Sequence, residues 1–320
     1  MNKILVTGAA GLIGSSLVER LIKQGYEIIC CDIRLQNNPL SFFSEEIKSL
    51  LMQCVGVIHL AAIARVIHCE IHPELCQKVN VEGTTKFLEL CKSLPNKPWF
   101  IYASSREVYG EQKKLPVVES AVLEPINSYA KGKVLIEDLV TDLEKFDFNI
   151  AILRFSNVYG GLLDHHNRVV PAFCIKALKG EPIKVEGREC VFDFTYLEDV
   201  VGGITLVVNY LQNVKSSLPP IHFTACNPCN LEQLANIILE VTGSDSIINF
   251  YPPRNFDVSR FYGDFRRAQE LLDWSPKYSL EEGLNKFIKS LKNSNQKSPK
   301  NIDMVLYENI ESYSWLPTLL

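Results

Sequence analysis

The sequence predicts an α/β protein built on a doubly wound parallel sheet. Short, near-continuous apolar runs alternate with amphipathic helical segments through the first half of the chain, which marks strands buried on both faces. The first run, KILVT at 3–7, meets three evenly spaced glycines that open a helix. The second, IICCDIR at 28–34, reaches an acid. Right-handed crossovers between such strands give the doubly wound arrangement.

The elements follow in order. GLIGSSLVERLIKQG (11–25) has helical apolar spacing and closes on Gly25, a predicted C-terminal cap. YEIICCDI (26–33) is the second buried strand, SEEIKSLLMQ (44–53) a helix and VGVIHLAA (55–62) a strand. Residues 72–94 read as one long helix, PWFIYASS (98–105) as a strand, 127–146 as a helix and FNIAILRFS (148–156) as a strand. After NVYG (157–160) the rhythm breaks into short, proline-containing stretches and small helices. That division predicts a dinucleotide-binding domain over 1–160 and a mainly substrate-binding domain over 161–294. A helix near 197–212 returns to the sheet, and a tail covers 295–320.

With 320 residues, 47% apolar and 22% charged, the composition is that of a soluble globule with a large core. The net charge of -4 argues against nucleic-acid or anionic-membrane partners. No apolar run is long enough to span a bilayer, and the N-terminus enters a strand with no basic leader. The ten cysteines lie largely in apolar segments and read as reduced thiols of a cytoplasmic protein. Cys226 and Cys229 form a single CxxC with no second pair, and His165 and His166 have no ligand partners, so no metal is expected.

Gly8, Gly11 and Gly14 lie between strand and helix, the context a dinucleotide turn requires. Glycine permits the tight turn, close approach to a pyrophosphate and close helix–strand packing, while the helix N-terminus favours the anion. Asp32, about twenty residues on, stands where a carboxylate takes a ribose diol and repels a 2′-phosphate, so NAD is favoured over NADP. Arg34 is a nearby cation that would suit the phosphorylated cofactor.

The chemical group follows. Tyr129 and Lys133 are i and i+4 on a helix and share a face, and Ser105 closes a strand. A free phenol, with a pKa near 10, is a poor base. A neighbouring ammonium and a positive nicotinamide would lower it. The three side chains suit removal of a hydroxyl proton while hydride leaves the same carbon.

These residues carry a family resemblance. The chain resembles the extended short-chain dehydrogenase/reductases, the nucleotide-sugar epimerases and dehydratases with a Rossmann domain, over roughly residues 3–290. The motifs are TGAAGLIG, HLAA (59–62), NVEGT (80–84), SSREVYG, Tyr129–Lys133, LRFSNVYG (153–160), DFTYLEDVV (193–201), PPRNFDV and LLDWSPKYSLEEGL. The resemblance implies Tyr129 as base, Lys133 as its support and Ser105 as a substrate-hydroxyl partner. It places Leu12, Ile13, Ile33, Leu60, Ala61, Ala62 and Phe155 along the NAD channel, with Asn80 holding nearby backbone. Arg65, Arg106, Asn157 and Arg254 fall on the substrate side. It also implies a homodimer in which helices 72–94 and 127–146 pair into a four-helix bundle.

The favoured activity is 4-epimerisation of a nucleotide-diphosphate sugar through a 4-keto intermediate. Alternatives within the family are 4,6-dehydration, 4-dehydrogenation or 4-keto reduction, and decarboxylation; a non-catalytic dinucleotide sensor is the rival outside it. Four departures bear on the choice. Glu107 stands where the dehydratases keep a glutamate base, but Arg106 replaces the acid that precedes it. Phe192 replaces the arginine of an RDF motif, for which Arg188, Arg260 or Arg65 could substitute. The span between Asp32 and His59 is short, so the family's third strand is absent or truncated, and Cys69 replaces a serine near the sugar.

Overall fold

The computed structural model describes residues 2–35, 40–42, 44 and 46–296; of the tail predicted over 295–320, the first two residues belong to the last helix and the rest lies outside the described residues. The first half alternates as the apolar pattern requires: β1 (Lys3–Thr7), α1 (Leu12–Lys23), β2 (Glu27–Cys31), α2 (Glu46–Leu51) and β3 (Cys54–His59). Next come α3 (Val66–Ile71), α4 (Pro73–Cys76), α5 (Thr84–Lys92), β4 (Trp99–Ser105), α6 (Ser128–Thr141) and β5 (Ile150–Phe155). The second half holds β6 (Asn157–Tyr159), α7 (Val169–Lys179), β7 (Ile183–Glu186), β8 (Val191–Tyr196) and α8 (Leu197–Asn213). It ends with β9 (Ile221–Phe223), β10 (Pro228–Asn230), α9 (Leu231–Thr242), β11 (Ile248–Tyr251), α10 (Arg266–Leu272) and α11 (Leu280–Gln296).

Six parallel strands form the main sheet in the order β2-β1-β3-β4-β5-β9. Alternate residues of β1 feed opposite faces, as strand geometry dictates. Ile4 and Val6 join the core with Leu17, Leu21 and Ile204 of α1 and α8. Leu5 joins the other, with Phe87 of α5 and Ile136 and Val140 of α6. The sheet therefore starts at the β2 edge, with no further strand beyond it among the described residues. Two small sheets, β10-β8-β6 and β11-β7, enclose a third core with α7, α9 and α11 above the carboxyl ends of the main strands. α8 packs on α1, and β9 completes the main sheet, so the second half is tied back into the first.

The segment expected as one helix over 72–94 is instead divided. α3 begins six residues earlier, at Val66, and stops at His72, whose backbone (φ -127°, ψ 63°) is not helical. Pro73 starts α4, as suits a residue without an N–H, and residues 77–83 form a π-helical stretch before α5. The break has a covalent consequence. Residues seven apart on a continuous α-helix would be about 10.5 Å apart, yet the Cα atoms of Cys69 and Cys76 are 5.2 Å apart and the pair is disulfide-bonded. The expectation of ten reduced thiols fails at this pair; the other eight cysteines are free. No helix among the described residues is long and apolar enough to cross a membrane.

Candidate active site

The glycine turn folds as its sequence requires. Gly8 sits at φ +70°, and a Cβ there would come within 2.8 Å of the Ala61 nitrogen. At Gly14 a Cβ would fall 2.1 Å from the Gly8 carbonyl oxygen, so only glycine lets α1 start this close to the turn. No side chain caps the start of α1, and its first turn holds no acid, which leaves its amides to an anion. Asp32 follows β2 and accepts hydrogen bonds from Ala10 N at 3.0 Å, Arg34 N at 2.9 Å and Arg34 Nε at 3.0 Å. Burial opposes the Asp32 carboxylate, but Arg34 outweighs it and holds the acid below its ordinary range. Arg34 is thus engaged with the acid.

From this turn a cavity of about 1220 Å³ runs along the carboxyl ends of the strands to β8 and the 253–259 segment. That exceeds the usual space for one small ligand and suits a dinucleotide with a second molecule. Gly8, Gly11, Leu12, Ile13, Gly14, Asp32 and Ile33 line one end. Leu60, Ala61, Ala62 and Phe155 line its floor, and Arg65, Asn157 and Arg254 the far side. Asn80 is not among the lining residues. Its side chain accepts from Ile63 N at 2.8 Å and donates to Ile63 O at 3.0 Å, which pins the wall after β3 from behind.

Ser105, Arg106, Glu107, Tyr129 and Lys133 line the same cavity. β4 delivers Ser105 at its last residue, and α6 presents the tyrosine and lysine after an N-cap in which Asn127 accepts from Ala130 N at 2.8 Å. Lys133 Nζ lies 5.6 Å from the Tyr129 ring centre and donates to Ala103 O at 2.6 Å. Burial pushes the Tyr129 phenol up to about 12, against hydrogen bonding from Ser105 and nearby Arg168 and Arg106. Burial likewise pushes the Lys133 ammonium down to about 8, while Glu137 works to raise it. The protein alone therefore holds the phenol protonated; the positive ring of a bound nicotinamide would lower it.

Glu107 is engaged at both oxygens, Oε1 by Arg106 Nη2 at 2.8 Å and Oε2 by Asn127 Nδ2 at 3.0 Å. Arg254 is held by Asp257, with Nε to Oδ2 at 2.7 Å. Arg65 reaches Asn167. Neither Arg188 nor Arg260 lines the cavity; Arg188 pairs with Glu232 at 2.7 Å on an exposed face. The guanidinium over Phe192 belongs to Arg106, with its carbon 4.9 Å from the ring centre.

Sequence reasoning does not find Asp164 and Arg168, which also line the cavity, 3.0 Å apart. Their only signal is an acid and a base at i and i+4. Burial raises the Asp164 acid against Arg168. His165 beside them is pushed down to about 3, by burial first and then by Arg65, Arg168, His68 and Arg34. Buried Arg106 Nη1, Asn157 Nδ2 and Asp164 Oδ2 have no hydrogen-bond partner among the described residues. Buried polar groups normally find partners, so three such atoms in one cavity mark it as a ligand site. No cluster of metal-ligating side chains occurs among the described residues.

The fold and this cavity are those of a dinucleotide-binding enzyme with room for a second ligand, and comparison with known proteins makes the class specific. Residues 4–226 match the model of the NAD dependent epimerase/dehydratase family, and the chain belongs to that family. Its cofactor is NAD. It is 29% identical to UDP-glucuronic acid decarboxylase 2 of Arabidopsis thaliana, over 91% of this chain and 68% of that one. A UDP-glucose 4-epimerase of Thermotoga maritima, solved with UDP-glucose, superposes with a TM-score of 0.81 at 31% identity, covering 92% of this chain and 99% of the other. A UDP-glucuronic acid 4-epimerase of Bacillus cereus, solved with UDP-glucuronic acid and NAD, gives 0.81 at 26% identity over 91% and 99% of the two chains.

Proposed function

We propose that this protein is a UDP-sugar 4-epimerase in which Tyr129 exchanges the proton of the sugar's C4 hydroxyl. The convergence of Ser105, Tyr129 and Lys133 in the cavity that also reaches the glycine turn and Asp32 carries this reading. NAD, held between the glycine turn, Asp32 and the Leu60–Ala62 wall, would supply reversible hydride transfer at C4 of the sugar. Ser105 Oγ, close enough to bond the phenol, orients the C4 hydroxyl. Lys133, anchored on Ala103 O, stabilises the phenolate as the proton moves. Asp32 takes the adenosine ribose, while Arg65, Asn157 and Arg254 take the substrate's diphosphate side. Elimination of water from the 4-keto sugar would need a base, and Glu107 has both oxygens committed; this favours epimerisation over 4,6-dehydration.

Nicotinamide absorbance and product analysis with UDP-glucose, UDP-galactose and other UDP-sugars test the reading. The wild type is expected to interconvert C4 epimers, and Tyr129→Phe to lose about 10²–10⁴ in turnover. Binding of NAD without any epimer formation would overturn it in favour of a sensor.

Two further proposals go with this reading. Residues 1–160 form the dinucleotide half and 161–294 mainly the substrate half. The protein is a cytoplasmic homodimer through the α3–α5 and α6 faces, where Ile71 and Leu135 stand exposed. Sedimentation tests the homodimer and cell fractionation the location.

A further inference from the structure

Arg106 is a cation in an enclosed place. It is 7% exposed, follows the candidate serine and lines the cavity. The rings of Phe192 and Phe261 lie against its guanidinium, with centres 4.9 and 5.6 Å away. Nη2 meets Glu107 Oε1 at 2.8 Å, while Nη1 is buried with no partner among the described residues. A buried N–H left unmet costs about 1–3 kcal/mol, which a ligand oxygen would recover.

The surrounding charge decides which oxygen fits. Glu107 already balances the guanidinium by direct contact. Asp193 of β8 is wholly buried and also feels Arg106. Burial pushes its acid up to about 6, against three backbone N–H bonds and Arg106, so it is largely ionised at neutral pH. Arg106 is thus paired with one carboxylate and within electrostatic range of a second, beside the rings of Phe192 and Phe261. A third carboxylate would be desolvated and repelled there. An uncharged hydroxyl oxygen needs only the hydrogen bond.

We propose that Arg106 determines specificity, selecting a nucleotide sugar whose hexose presents an uncharged oxygen beside C4 and turning away the hexuronate. The inference rests on the reading of the cavity as a UDP-sugar site. The relatives do not decide it, since one was solved with UDP-glucose and another with UDP-glucuronic acid.

The test titrates NAD-loaded wild type, Arg106→Met and Glu107→Gln with UDP, UDP-glucose and UDP-glucuronic acid by calorimetry. Wild type is expected to bind UDP-glucose at least about tenfold tighter than the uronate, a difference of about 1.4 kcal/mol. Arg106→Met, which keeps an apolar stem on Phe192 but removes the donor and leaves the carboxylates, should weaken UDP-glucose about tenfold without improving the uronate, while binding UDP unchanged. Glu107→Gln should narrow it by admitting the uronate. Equal or tighter binding of the uronate by wild type overturns the inference, as does an unchanged affinity for UDP-glucose in Arg106→Met. If that variant misfolds, an unchanged ratio in Glu107→Gln does so. Should UDP bind while the uronate wins, only this inference falls; should neither UDP nor any UDP-sugar bind, the UDP-sugar reading falls with it.

Discussion

Arg154 and Arg106 are both buried, both paired with a glutamate, and lie on or just past neighbouring strands, yet one network is closed and the other open. Arg154, opposite Ser104 in the sheet register, donates to Glu137 from Nε at 3.0 Å and Nη2 at 2.5 Å. Its Nη1 reaches Tyr109 Oη at 2.6 Å and Glu119 O at 2.9 Å, and Tyr109 in turn meets His222 Nε2 at 2.6 Å. Every guanidinium nitrogen of Arg154 has a protein partner. Arg106 has Glu107 on one nitrogen and none on another. A buried charge network completed by the protein itself fixes the scaffold, whereas one that lacks an acceptor is completed by what the protein binds.

Breaking the closed network should have the largest effect. Arg154→Met leaves Glu137 buried without its guanidinium partner, and is expected to lose about 3–5 kcal/mol in urea unfolding; a loss under about 1 kcal/mol would erase the contrast. Lys133 lies between the two networks, with Glu137 acting on it from the closed side. Its ammonium is pushed down to about 8 from 10.5 by burial, so between those pH values the unfolded chain holds more protons than the folded one. Stability of wild type should therefore rise with pH relative to Lys133→Met across that window, by up to about 3 kcal/mol. Urea midpoints of both proteins at pH 8 and pH 10 measure it, and a flat or falling difference would contradict the burial.

The open network should show itself only when ligand is present. If Arg106→Met weakens UDP-glucose tenfold, the stabilisation that saturating sugar gives should shrink by about 1.4 kcal/mol relative to wild type. In an Arg154 variant that still folds, such as Arg154→Lys, the increment should persist. Differential scanning fluorimetry with and without sugar separates the two. At the far end, Lys23→Ala removes an exposed i,i+4 pair with Glu19 and should leave the midpoint unchanged.

The cofactor half was legible because its signals are local. A strand, three glycines, a helix and an acid fall within 3–32, and Tyr129 and Lys133 need only one helical turn to meet. What sequence does not reveal depends on distant segments or on broken periodicity. Phe192 and Phe261 meet Arg106 across more than eighty residues, so the cation opposite the missing arginine could not be identified from spacing. β9 is three residues long, too short for an alternating pattern to register. The break at His72–Pro73 hides inside an apolar period that continues on both sides, and with it the Cys69–Cys76 bond.

That short strand limits how the chain can be divided. Ile221, His222 and Phe223 pair in register with Leu153, Arg154 and Phe155, and Phe223 stacks on Phe155 with ring centres 6.3 Å apart. A gene fragment ending at residue 160 would encode a sheet with a bare β5 margin, open to pairing with other copies. Recombination that exchanges the sugar-facing half between proteins of this kind must carry the strand along, or it will yield aggregates instead of new specificities.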